Sequence, residues 1–215
     1  MSNALRYKAA RPYHQPLFIS PQSVSHWLFD KSVLPFRTPG RIVAGAWDSD
    51  TVSRQDRLQK SDKYIGLCER FVHGMPWSQT MLFQQRYSRE LKEKGRARGG
   101  ATTLQELEKV YERYDRMFED IKAHGVIAPT RENGFDWIYI YIGRNGEIIY
   151  TSNGNHRLYM AIILDVATMP VRVLWRHEEW QLRRETLSAL PPSERLLHID
   201  DKLKSHADLA DLLQD

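Results

Sequence analysis

Cysteine is almost absent from this chain: among 215 residues there is one, Cys68. A disulfide framework or a cysteine-built metal cluster within one chain is therefore excluded. Long apolar runs are also missing. The longest, around Ile138–Ile142 and Leu158–Leu164, fall far short of the ~20 residues that cross a bilayer. No apolar core follows the first basic residues, so no secretory leader is expected, and a cytoplasmic setting without membrane contact is the simplest expectation. His14, His26, His73, His124, His198 and His206 are scattered, none at ligand spacing from another histidine, cysteine or acid, so no metal site is expected. Internal repeats and low-complexity tracts are lacking as well.

What is present suffices for a core: 41% of the residues are hydrophobic and 11% aromatic. The net charge of +4 is mild; it permits an anionic ligand without arguing for nucleic acid. Arg86, Arg89, Lys92, Lys94, Arg96 and Arg98 form a basic run ending at Gly99-Gly100. Tyr87 is the only aromatic inside it, so a solvated helix end is preferred to a base-stacking platform, and DNA is a partner not favoured.

Four regions follow from the patterning, and together they predict an α+β fold. Residues 1–60 read as a weakly organised N-terminal arm, broken by Pro12, Pro16, Pro21, Pro35 and Pro39. A short helix is expected after Pro21, carrying Val24, Trp27 and Leu28, and an extended stretch at Arg41–Asp48. Residues 61–125 read as helical. Tyr64, Leu67, Cys68 and Phe71 recur at helical spacing, a second helix is expected from Trp77 to Lys94, and a third opens at Thr103 with a capping-box Glu106. Leu104, Leu107, Val110, Tyr111, Tyr114, Met117, Phe118 and Ile121 stripe that third helix, and His124-Gly125 closes it.

Residues 126–190 are expected to form a small mixed sheet with helices, and 191–215 a helical tail. Trp137–Ile142 alternates isoleucine with aromatics, so a strand covered on both faces is predicted. Asn145-Gly146 predicts a two-residue hairpin turn. A return strand over Glu147–Thr151, a polar turn at Ser152–Asn155, a helix over His156–Leu164, a strand over Pro170–Trp175 and a helix over Glu178–Ala189 follow.

The chemistry concentrates at Asn153-Gly154-Asn155-His156-Arg157. A helix start carries the positive end of the dipole and outward-pointing N–H groups, so acids are favoured there. This chain puts His156 and Arg157 there instead. An anion held at the turn would remove the conflict. Gly154 would admit a phosphate oxygen to the backbone, Arg157 would fork onto it, and His156 would donate to it or brace the turn from within. The plainer alternative has Gly154 serving the turn, Asn155 as N-cap, His156 satisfied in the core and Arg157 paired with a carboxylate; spacing alone does not separate the two.

The order strand, hairpin, strand, Gly-x-His-Arg, apolar helix and Pro-Val-x-Val strand resembles the ParB/sulfiredoxin superfamily over about Asp136–Trp180. The resemblance implies that Gly154, His156 and Arg157 contact nucleotide phosphates, with Asn153 and Asn155 in the same turn. It further implies a nucleotide ligand (ATP, ADP or CTP, with or without Mg2+) or another phosphorylated small molecule. The activity it implies is either phosphoryl transfer to a small molecule, kinase fashion, or non-enzymatic regulation through nucleotide or DNA. Asn155 stands where sulfiredoxins carry cysteine, so sulfinic acid reduction is not expected. Arg172, Arg176 and His177, on or just after the last strand, are candidates to reach the same anion, against a solvated strand end. Asp48 and Asp50 are the best acidic candidates for a metal or a general base in phosphoryl transfer, Asp48 with His156 as the catalytic pair, against exposed loop carboxylates.

Overall fold

The computed structural model describes residues 6–28, 40–129, 137–151 and 153–213; Pro35, Pro39, Asp136 and Ser152 lie outside these, as do the side chains of Arg86 and Ser88. Among the described residues the chain forms a seven-stranded mixed sheet with helices, an α+β fold. No described helix is long and apolar enough to cross a membrane.

The strands are β1 (Leu17–Ile19), β2 (Val24–Leu28), β3 (Arg41–Val43), β4 (Thr51–Ser53), β5 (Tyr139–Ile142), β6 (Ile148–Tyr150) and β7 (Met169–His177). Their order is β1-β7-β5-β6-β2-β4, and β3 joins β7 farther along the same edge that β1 occupies. The segment expected to be a weakly organised arm thus supplies four strands. The helix expected after Pro21 is one 3-10 turn, Pro21–Ser23, followed by β2. Val24, Trp27 and Leu28 suit either periodicity; parallel pairing to β6 and antiparallel pairing to β4 decide for strand.

The helices are α1 (Arg54–Gln59), α2 (Asp62–Phe71), α3 (Ser88–Lys94), α4 (Leu104–His124), α5 (Asn155–Ile163), α6 (Glu178–Ala189), α7 (Pro192–Arg195) and α8 (Ala210–Leu213). The Trp77–Lys94 segment is not one helix: a 3-10 turn and a π-helical stretch, Leu82–Tyr87, precede α3. Thr103 accepts from the Glu106 N–H at 3.1 Å and caps α4, while Glu106 reaches back to the Thr102 N–H at 2.7 Å. Gly125, at φ 71°, turns the chain out of α4.

β5 is covered on both faces as its alternation predicts. Ile138, Ile140 and Ile142 enter the main core, whose helical layer includes Leu67, Leu107, Tyr111, Leu158 and Tyr159. Tyr141 faces a second cluster with Trp47, Leu174 and Trp175. A bulge in β7 lies between the Ile140–Val173 and Tyr141–Trp175 pairs, leaving Leu174 as the extra residue. The β5–β6 hairpin has three loop residues rather than two. Gly143 and Glu147 close it at 2.9 Å, and Gly146 takes φ 90° after an Arg144-Asn145 turn. Gly146 is fixed there on two counts, since a Cβ would meet the Trp180 ring at 2.6 Å.

Candidate functional site

The β6–α5 junction is latched from three sides. Tyr150 donates its hydroxyl to the Asn153 carbonyl at 2.7 Å, Asn153 Nδ2 donates to the Trp137 carbonyl at 2.7 Å, and Leu158 N–H closes the first helical bond to Gly154 O at 3.0 Å. Asn153 is thereby a positioning residue, tied by its side chain to the head of β5. Gly154 takes φ 79°, ψ 24°, and a Cβ there would lie 2.8 Å from Ile138 Cγ1. Both conformation and space demand glycine. Gly154, not Asn155, is the N-cap, and Asn155 is the first residue of α5. The cap offers no side chain and the first turn holds no acid. At the other end of α5, Asp165 takes φ 49° and closes a Schellman-type stop, with Val166 N–H on Ala161 O at 3.0 Å.

His156 is buried and lies flat on Tyr114 of α4, rings 4.4 Å apart and 19° from parallel. Tyr114 in turn accepts a hydrogen bond from Arg98 Nε. Burial raises the Tyr114 hydroxyl above its ordinary pKa, against the pull of Arg98, so it stays protonated. The Gly154–Arg157 turn, Arg98 and Lys63 of α2 then line one cavity of about 350 Å3. Lys63, Arg98 and Arg157 bring three cations to it, and among the described residues none that lines it carries a carboxylate. A second hollow of about 460 Å3, between α4 and residues 125–129, shares Arg157 and Met117 with the first.

No family model matches this chain, and no curated protein or solved structure matches it either. The ParB/sulfiredoxin resemblance therefore rests on the Asp136–Trp180 residues alone, and the site must be argued from its own geometry.

That geometry gathers part of the expected set and disperses the rest. Gly154, Asn155, His156 and Arg157 line the cavity with Asn153. Arg172 lies at the correct end of β7, where its N–H reaches Ile138 O at 2.9 Å. Its side chain, however, stacks over Trp137 at 4.2 Å and does not line the cavity. Arg176 and His177 lie four and five residues farther along β7, roughly 13–17 Å away at strand rise. Arg176 is buried in an ion pair with Asp208 at 2.6 Å; His177 donates to Gly45 O at 2.7 Å and caps α6 through Glu179 N–H. Neither joins the turn, because pairing β7 parallel to β5 sends its end to the opposite side of the sheet.

Asp48 shares that far end. Its side chain is 4% exposed and takes a 2.6 Å bond from Arg144 Nη2 and a 2.8 Å bond from the Arg144 N–H. Burial opposes its charge, but the Arg144 hydrogen bonds outweigh burial and hold the carboxyl below its usual range. It is not the loop carboxylate expected, and it does not meet His156. Among the described residues no cluster of three or more histidine, cysteine or acidic side chains could hold a metal ion. Cys68 sits half-buried on α2, where burial raises its thiol above its ordinary pKa.

Lys63 and Arg98 went unseen in the sequence. Lys63 looks like any solvated helix residue. Arg98 belongs to the basic run, yet the Arg98–Gly100 turn packs on α4, with the Gly99 Cα side against Val110, and bends the guanidinium onto Tyr114. The Gly99-Gly100 pair, both at positive φ, was the available signal that the run folds back.

Proposed function

We propose that this protein binds a nucleotide through its phosphates, cradled by the Gly154–Arg157 turn with Lys63 and Arg98. One observation carries the reading: the cavity gathers three cations, Lys63, Arg98 and Arg157, at the positive pole of a helix. A phosphate there would meet backbone N–H groups at the start of α5, a forked guanidinium from Arg157 and a point charge from Lys63. Gly154 permits the close approach, and His156, held flat on Tyr114, braces the turn from below.

Phosphoryl transfer would also need a group to take the acceptor's proton. Asp48 is committed to Arg144 at the far end of the sheet, and among the described residues no acid lines the cavity. Binding without transfer is the better supported reading, nearer to a nucleotide-responsive regulator than to a kinase.

The test is a thermal-shift panel of ATP, ADP, CTP and phosphometabolites on wild type and Arg157→Ala. A ligand at 100 times its dissociation constant should stabilise the wild type by about 2.7 kcal/mol. Arg157→Ala should fold and lose most of that response. A mutant responding as fully as wild type would overturn the assignment.

A further inference from the structure

The hollow beside the phosphate cavity has a different character. Its apolar lining is Met117, Ile121, Val126 and Ile127, exposed Arg113, Arg116 and Asp120 border it, and it opens onto Arg157, which also lines the phosphate cavity. At about 460 Å3 it falls within the range of small-molecule sites. Its wall, residues 126–129, is chain without regular secondary structure between α4 and the end of the described segment. Among the described residues no hydrogen bond is made to or from the backbone of Val126, Ile127 or Ala128. An apolar floor beside a row of unengaged N–H and C=O groups suits a flat ring that stacks on one side and pairs along its edge. An alkyl chain would use the floor and leave the edge unmet. An inorganic polyphosphate would use neither.

Resting on the reading of the first cavity as a phosphate site, we propose that the second hollow is the nucleoside subsite. The base lies on Met117 and Ile121, its edge reads the backbone of residues 126–128, and the ligand turns at Arg157 into the phosphate cradle. The surface that selects the ligand then belongs to α4 and its exit, outside the Asp136–Trp180 segment that holds the phosphates. Ala128, half-buried at the wall, is where a bulky side chain would fill the hollow.

Titration calorimetry of wild type with inorganic tripolyphosphate, ATP, CTP, GTP and UTP tests this directly. At least one nucleoside triphosphate should bind about tenfold or more tighter than tripolyphosphate, a factor that modest apolar burial supplies. The four bases should differ among themselves, because an edge is being read. In Ala128→Trp that nucleotide's affinity should fall to the tripolyphosphate level. Tripolyphosphate binding as tightly as every nucleotide would overturn the subsite and leave the phosphate reading standing. A prenyl diphosphate matching the best nucleotide would overturn the heterocycle. Failure of wild type to bind any of these anions would instead remove the phosphate reading beneath it.

Discussion

Two groups of arginines lie toward opposite ends of β7, and they are built differently. At the far end Arg176 and Arg184 converge on Asp208, whose side chain is fully buried. Arg176 donates twice, at 2.9 and 2.6 Å, and Trp180 Nε1 adds a third bond at 3.0 Å. Asp211 takes the rest of Arg184 at 2.8 Å. Burial alone would raise the Asp208 pKa, but the two guanidiniums outweigh it and hold the carboxyl at about 2. The cluster contains its own counter-charge and fastens the C-terminal tail to β7 and α6. At the near end Lys63, Arg98 and Arg157 gather around a helix start in an open cavity that no carboxylate lines among the described residues. At one end a fully buried guanidinium is satisfied within the fold; at the other, the charged side chains among the described lining residues are of one sign. The first arrangement serves stability; the second is the one on which the proposed phosphate site rests.

The contrast breaks first at Asp208. Asp208→Asn should cost about 3–5 kcal/mol in urea unfolding, because two buried guanidiniums lose their shared charge. In the wild type the same carboxyl should show its linkage at acid pH. Its folded pKa lies below its ordinary value of 3.8, so its contribution is complete above that pH. It should fall as the unfolded chain takes up the proton first, and be exhausted only below pH 2, once the folded carboxyl is protonated too, for about 2 kcal/mol in all. A variant as stable as wild type would mean the far cluster is not structural.

Gly154→Ala sharpens the other side. A methyl at φ 79° and 2.8 Å from Ile138 Cγ1 should cost about 1–3 kcal/mol in denaturant midpoint. It should also remove the nucleotide response, since both depend on the same left-handed turn. Unchanged stability would show the turn to be looser than its geometry implies.

Much of this was legible because it is local. The stripe and capping pair of α4, the two-faced alternation of β5 and the bounds of α6 follow from neighbours in sequence. What was not legible depends on distant pairing. Val24–Leu28 is a strand because β6 and β4 flank it, and the Leu174 bulge sets which face Arg176 enters. The site divides in the same way. Gly154–Arg157 declares itself through basic residues at a helix start, whereas Lys63 and Arg98 arrive only when α2 and the Arg98–Gly100 turn fold over it. Arg176 and His177 looked equivalent to Arg172 until strand direction separated them.

The most direct test of the near-end cavity is Arg157→Met, which keeps much of the side chain's length and removes its charge. Urea unfolding should be followed with and without tripolyphosphate at matched ionic strength. Without the anion the variant should match wild type to within about 0.5 kcal/mol; with the anion only wild type should gain. A loss of about 2 kcal/mol or more in the anion-free variant would contradict the account, because Arg157 would then serve the fold as Arg176 does.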